Sequence, residues 1–207
     1  MDSKLEPLAA LIAGWPGLVS RPDPGLLEDC LVLEPWLPAG CRLVDVGSGN
    51  GLPGLPLRLL RPDLRLTLLE ANRRRAAFLV QACARLGLAD VQVLAERAEL
   101  AGRDPAHREA YDTAAARALA PLPVLAELCL PLVRVGGRLL AMKTAAQAEV
   151  EAAGPALRLL GGELEVVAPA PSPTRRRGSI VVVAKVRPTP SGYPRRPGVP
   201  GRRPLGM

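Results

Sequence analysis

The chain predicts an α/β domain built on a mostly parallel sheet of seven strands, and three observations carry that prediction. The first is the run Leu43-Val44-Asp45-Val46-Gly47-Ser48-Gly49-Asn50-Gly51-Leu52-Pro53-Gly54, an apolar strand ending on a glycine-rich turn that opens a helix. The second is the alternation of strand-like and helix-like segments that follows, which implies parallel pairing through right-handed crossovers. The third is Glu70, an acid closing a second strand roughly twenty residues after the turn, where a carboxylate can meet ribose hydroxyls.

The turn is the most specific of these. Glycine lets backbone approach a ligand and accepts positive φ, and Pro53 suits a first helical turn, where its missing N–H costs nothing. Dinucleotide folds place glycines as G-x-G-x-x-G to admit a pyrophosphate. Here every second residue is glycine from Gly47 to Gly51, with Asp45 at the strand end. That spacing suits a ligand without phosphates, an adenosyl group carrying a methionine tail. An ordinary tight loop is the plain alternative for the turn, and a surface acid for Glu70.

A helix over 54–60 follows the turn, and Arg61-Pro62-Asp63 leads into the second strand, 64–69. Asn72 caps a helix to about Leu86, with Ala76, Phe78, Leu79, Ala82 and Cys83 on one face and Gly87 as its stop. Strands are expected over 91–95, 111–116, 138–142, 164–168 and 179–185. Helices are expected over 121–133, ended by Gly136-Gly137, and over 145–160, ended by Gly161-Gly162. Residues 1–37 read as a short helical cover over the ligand cleft, 38–187 as the main domain and 188–207 as a basic, Pro-rich arm. The arm has no pattern for regular structure and is expected to order only against a surface or on binding.

The formal net charge of +7 is concentrated in that last part of the chain. Residues 1–173 carry 18 basic and 20 acidic side chains, whereas residues 174–207 carry nine basic and no acidic ones. Such a segment points to a polyanion, most simply RNA, or else to a solvated tail. Cys30, Cys41, Cys83 and Cys129 are scattered, with no CxxC pair, and His107 is the sole histidine, so no metal site is expected. Reduced cysteines, no signal-like N-terminus and no apolar run of about 18 residues suggest a cytoplasmic protein. Nothing in the sequence fixes the oligomeric state; a monomer is expected.

With these pieces assembled, the chain resembles the bacterial 16S rRNA guanine-N7 methyltransferases, the family once called glucose-inhibited division protein B. The resemblance runs from about Cys41 to Leu205. It rests on the Asp45–Gly54 turn, Arg97-Ala98-Glu99, Arg117-Ala118-Leu119-Ala120-Pro121-Leu122, Pro131-Leu132, Gly136-Gly137-Arg138-Leu139-Leu140-Ala141-Met142-Lys143 and the proline-basic ending. It implies a class I methyltransferase fold, Rossmann-like, that binds S-adenosylmethionine and modifies 16S rRNA. It implies cofactor contacts at Gly47 and Leu52, at Ala98 and Glu99 beside the adenine, and at Arg117. Asp45, Gly49, Gly51 and Glu70 complete the expected cofactor set. The chain departs from the family before Cys41: members usually show an Arg-His pair and then Leu-Asp-Ser, where this chain has Glu28-Asp29-Cys30.

Guanine N7 carries an in-plane lone pair at neutral pH, so its methylation needs alignment and fixed electrostatics and no general base. No acid–base dyad is expected. Arg117 and Lys143 are the positioning candidates, Arg117 for guanine O6 or the cofactor carboxylate, and Lys143 for a phosphate or guanine. RNA contacts are expected from Arg73, Arg74, Arg75, Lys143, Arg175, Arg176, Arg177, Arg195, Arg196, Arg202 and Arg203. So few aromatics accompany them that folded RNA fits better than stacked single strands. The rival readings are a class I methyltransferase acting on another RNA or a protein, an NAD-dependent oxidoreductase, and a non-catalytic ribosome-binding module on the same fold. The glycine spacing disfavours the oxidoreductase. Fold alone does not choose among the others.

Overall fold

The computed structural model describes residues 2–15, 23, 25–144 and 146–206. The first helices are α1 (Glu6–Gly14) and α2 (Gly25–Glu28), the latter running into a 3-10 stretch, Asp29–Trp36. Residues 1, 16–22 and 24 of the expected N-terminal cover lie outside the described residues.

Then come β1 (Arg42–Val46), α3 (Gly54–Leu60), β2 (Arg65–Leu69), α4 (Arg73–Arg85), β3 (Gln92–Leu94) and α5 (Ala98–Ala101). The second half holds β4 (Tyr111–Arg117), α6 (Leu122–Cys129), β5 (Val133–Lys143), α7 (Ala146–Leu160), β6 (Gly162–Pro169), β7 (Ser179–Lys185) and α8 (Val199–Arg202). The strands form one sheet in the order β3-β2-β1-β4-β5-β7-β6. β1 to β5 pair in parallel, and β7 runs antiparallel to both β5 and β6. Strand order reverses between β1 and β4, which opens a crevice at their carboxyl ends, the place where α/β sheets bind ligands.

Alternation along each strand sends side chains to two apolar layers. Leu43, Leu66, Leu68, Ala115, Leu140 and Val182 face α1, α3, α4 and the Asp29–Trp36 stretch. Val44, Leu69, Ala114, Ala116, Leu139 and Val181 face α6 and α7. Trp15 reinforces the first layer by meeting Phe78 of α4 edge to face, ring centroids 5.2 Å apart. Helix α4 begins where the sequence places it. The Asn72 side chain accepts from the Arg74 and Arg75 amides, satisfying donors the helix leaves open.

Two sequence expectations change. Gly136-Gly137 does not stop a helix. α6 ends at Cys129, a 3-10 turn spans Leu130–Leu132, and β5 starts at Val133. The β4–β5 register shifts between Tyr111 and Thr113, and a Cβ at Gly137 would lie 2.4 Å from the Asp112 carbonyl oxygen. The glycine therefore serves a strand irregularity, not a helix end.

The C-terminal arm is the second. It lies against the protein's own surface and includes the short helix α8. Arg108 donates to the Thr189, Pro190 and Tyr193 carbonyls, and Arg103 to those of Gly192 and Pro194. The buried Lys185 ammonium donates to the Leu130 carbonyl and to Thr189 Oγ1 and pairs with Glu109 at 3.1 Å. Burial brings its pKa down to about 8. A Pro-rich segment lacks amide donors, so its carbonyls need donors from elsewhere, and Arg103 and Arg108 supply them.

Candidate active site

A cleft of about 600 Å³ opens at the carboxyl ends of β1 and β4, within the range of about 300–1,000 Å³ for small-molecule sites. Gly47, Glu70, Asn72, Ala98, Glu99 and Leu119 are among its lining residues. Glycine is required at the turn for two physical reasons. Gly47, Gly49 and Gly51 have φ of 73°, 54° and 82°, and a Cβ at Gly51 would lie 2.3 Å from Leu55 Cδ1. The Gly47 and Ser48 amides donate to the Leu69 carbonyl, at 2.8 and 3.1 Å, tying the turn to the end of β2.

Glu70 is nearly buried, and its carboxylate organises two backbone segments. One oxygen accepts from the Gly49 amide at 2.8 Å and the other from the Asn72 amide at 2.7 Å. Asp45 lies beneath the turn, fully buried. Its Oδ2 accepts from the Gly54 amide at 3.0 Å, and its Oδ1 has no partner. Burial pushes its pKa up to about 7, against the bond from Gly54. Asp45 therefore fastens the turn from below and does not line the cleft. Leu52 and Gly51 also turn inward, toward the first apolar layer.

Ala98 and Glu99 sit on the opposite wall. Glu99 is 4% exposed and accepts from the Gly198 amide at 2.8 Å and from Arg97 at 3.4 Å. Leu119 lies over Gly47, since a Cβ there would be 2.6 Å from its Cδ1. Ala118, before it, holds φ at 50°, unusual for a residue with a side chain.

Arg117 ends β4 but turns away from this wall. Its guanidinium donates to the Leu26 carbonyl at 3.2 Å and pairs with the fully buried Asp29 at 3.5 Å. Asp29 also accepts from the Thr174 amide at 3.1 Å and from the Thr174 hydroxyl. Burial works to raise the Asp29 pKa, but the nearby Ser172 hydroxyl, the bonds from Thr174 and the Arg117 charge outweigh it and leave it lowered. Arg175 donates to the Lys143 carbonyl at 3.3 Å, while its Nε and Nη2 are buried and unpartnered. The Cys30 thiol beside Arg117 is pushed up to about 12 by burial, so it is no nucleophile. Lys143 ends β5, donating to the Ala120 carbonyl at 2.6 Å and pairing with Glu149 at 2.7 Å.

Of the expected cofactor residues, the structure brings Gly47, Glu70, Ala98 and Glu99 together around one cleft, with Gly49 joined through Glu70. Arg117 and Lys143 share the neighbouring strand ends. The sequence reading missed Asn72, Glu96, Ala118, Leu119 and Leu128, which also line the cleft. Asp29 was missed as well, though it stands where the chain departs from the pattern of the family it resembles.

The basic residues divide. Arg73, Arg74, Arg176, Arg177, Arg196, Arg202 and Arg203 are exposed, and Arg75 reaches the cleft wall. Arg195 is a correction: its guanidinium forks onto buried Glu127 at 2.6–3.1 Å and reaches the Arg203 carbonyl, so it is not open to a phosphate. Among the described residues, no group of three or more His, Cys, Asp or Glu is placed to hold a metal, and no helix is long and apolar enough to cross a membrane.

The fold is that of class I methyltransferases. The structure is similar to a SAM-dependent methyltransferase from Aquifex aeolicus, with a TM-score of 0.60 and 18% identity, covering 79% of this chain and 94% of that one. It is also similar to the Methanococcus jannaschii fibrillarin pre-rRNA processing protein, with a TM-score of 0.56 and 12% identity, covering 71% and 67%. Sequence relatives are nearer. Ribosomal RNA small subunit methyltransferase G of Roseiflexus sp. (strain RS-1) is 52% identical over 190 residues, 91% of this chain and 80% of the relative. The protein of the same name from Rubrobacter xylanophilus is 43% identical over 218 aligned positions, 98% of this chain and 83% of the relative. Residues 24–175 match the GidB family, described as rRNA small subunit methyltransferase G, and with this turn, this cleft and these relatives the chain belongs to that family.

Proposed function

We propose that this chain methylates guanine N7 in 16S rRNA with S-adenosylmethionine as the methyl donor. The observation that carries the reading is the intact glycine turn, bound to Glu70 at the sheet's switch point, in a member of this family. The pocket fits the donor: a turn that holds positive φ, and a nearly buried carboxylate where ribose hydroxyls would lie, with the unpartnered oxygen of Asp45 beneath the turn rather than in the cleft wall. Bound S-adenosylmethionine would supply a methyl group activated on a sulfonium leaving group.

The protein's part is then placement. Glu70 orients the ribose, and Ala98 and Glu99 bound the adenine side. Leu119 covers Gly47 and keeps water from the donor's path. Arg117 and Lys143, at the ends of β4 and β5, position the acceptor guanine. Neither may donate to N7, because that would occupy the attacking lone pair. Lys143 also holds the 118–121 loop through the Ala120 carbonyl. The exposed Arg176 and Arg177 meet RNA phosphates, a contribution that falls steeply with salt.

The test is methyl transfer from labelled donor to small ribosomal subunits from cells lacking this activity, followed by mass spectrometry of digested nucleosides. N7-methylguanosine at one site is the expected result. Donor binding with label on another nucleoside or on protein moves the acceptor. No donor binding overturns the reading in favour of a non-catalytic module.

A further inference from the structure

The C-terminal segment reads from sequence as a basic arm for RNA, yet its best-made polar contacts point inward, to the walls of the donor cleft. The Gly198 amide donates to Glu99, a cleft-lining residue of α5, at 2.8 Å. The Arg195 amide and guanidinium both bond Glu127 of α6, which is 1% exposed and precedes Leu128 in the cleft wall. Pro194 is buried against Gly102, where a Cβ would lie 3.0 Å from Pro194 Cγ, directly after α5. Arg103 and Arg108 hold the segment's carbonyls from the loop that follows.

α5 has four residues and is too short to hold its position by its own hydrogen bonds. Its placement must come from what packs on it. Glu99 is buried with its carboxylate bonded to one backbone N–H, that of Gly198, at 2.8 Å, and to the Arg97 guanidinium at 3.4 Å; Gly198, donor of the shorter bond, is 99 residues away in sequence. A helix wall that carries a buried carboxylate on each of α5 and α6 is costly unless both are paired. The segment supplies the cation for Glu127 and, beside Arg97, the shorter bond to Glu99.

We propose that residues 189–203 are a brace of the methyl-donor site: Gly198 and Arg195 fix Glu99 and Glu127, hold α5 against α6, and so set donor affinity. Arg195 is a positioning residue, acting through Glu127 and the Leu128 wall. This rests on the cleft being the donor site. The RNA-facing role stays with residues on other elements, Arg176 and Arg177 among them.

The experiment compares the full chain with Arg195→Gln, with the double variant Arg195→Gln/Glu127→Gln, which strands no buried charge, and with Arg195→Lys. Calorimetry with S-adenosylhomocysteine reads donor-site affinity without catalysis. Hydrogen exchange reads the amides of 98–102 and 127–129, and kinetics separate the donor KM from the subunit KM. The expected result is affinity at least tenfold weaker in Arg195→Gln, a several-fold loss in the double variant, and partial recovery in Arg195→Lys. Protection of 98–102 should drop while the subunit KM stays within twofold. If Arg195→Gln does not fold, the double variant decides. Unchanged donor affinity with a lowered melting temperature makes the segment a mere stability element and overturns the proposal. A raised subunit KM with unchanged donor affinity makes it an RNA arm and overturns it too. Failure of the parent chain to bind S-adenosylhomocysteine overturns the donor-site reading instead.

Discussion

The cleft, on the donor side, and the neighbouring ends of β4 and β5, on the acceptor side, are finished to different degrees. On the donor side, the two wall carboxylates accept from backbone amides: Glu70 from Gly49 and Asn72, and Glu99 from Gly198 beside Arg97. On the acceptor side, charged groups are tied to one another and to carbonyls. Arg117 meets Asp29, Lys143 meets Glu149, and Arg175 keeps two guanidine nitrogens buried without partners. Backbone amides have nowhere else to go, so the donor side is preorganised before any ligand arrives. Side-chain pairs can exchange partners. Arg117 can leave Asp29 for a guanine or phosphate because Thr174 still holds that carboxylate. The difference teaches that the cleft wall is set before a ligand arrives, whereas the ends of β4 and β5 can exchange partners; under the proposed function, donor binding is lock-like and RNA reorders those strand ends.

The sharpest way to break this contrast is Glu70→Ala. It removes two charge-assisted hydrogen bonds at once, each worth about 1.5–3 kcal/mol, and leaves the glycine turn unfastened from α4. Donor affinity should fall about 100-fold or more, a loss of roughly 2.7 kcal/mol by calorimetry with S-adenosylhomocysteine. A change within threefold, in a protein with a native circular dichroism spectrum, would mean that the turn holds its shape without this carboxylate.

On the other half, Arg117→Ala should lower kcat/KM for subunits about 30–100-fold, a loss of roughly 2–2.7 kcal/mol in the transition state. Donor affinity should stay within threefold. An equal loss of donor affinity would move Arg117 to the donor side and erase the distinction. The melting temperature should fall by several degrees, because the buried Asp29 loses its paired cation, although the bonds from Thr174 remain.

Asp45 supplies a pH test of the donor half. Its folded pKa, about 7, lies above the ordinary 3.8, so the folded state holds an extra proton between those values. Stability from this group is full below pH 3.8 and is lost as pH rises through 7. Donor binding runs the other way. A sulfonium and an ammonium are favoured by ionised Asp45, so affinity should rise about fivefold from pH 6 to pH 8 and level off above. Asp45→Asn should flatten that rise. S-adenosylhomocysteine, which lacks the sulfonium charge, should show a weaker slope than S-adenosylmethionine.

What the sequence made legible followed from local rules. The strand–glycine–helix turn, the Asn72 cap and the Glu70 strand end each depend on residues close in the chain, and each stands where the pattern put it. Gly136-Gly137 misled because two glycines stop a helix or relieve a strand equally well, and only the Asp112 carbonyl across the sheet decides. The direction of Arg117 was hidden because its partner, Asp29, is 88 residues away. The positive φ of Ala118 has no compositional sign at all. The arm is ordered against a surface, the protein's own, held by arginines of another loop; only the absence of regular structure changes, because the short α8 forms despite its proline and glycine.

The smallest effects should come from the exposed arginines, and they sharpen the contrast by salt dependence. Arg176 and Arg177 lie on the loop that also carries Thr174 and Arg175, beside the acceptor half. Arg196 and Arg203 lie on the brace, beside the donor half. Each phosphate left without its cation takes about 0.7–0.9 from the slope of log K against log salt. Arg176→Gln/Arg177→Gln should therefore lower the slope for subunit binding by about 1.5, with donor affinity unchanged. Under the proposal that the RNA-facing charge is on the acceptor side, Arg196→Gln/Arg203→Gln should change it by less than about 0.5. Equal slopes for the two pairs would place RNA across both halves, and the arm would then act as brace and RNA contact together.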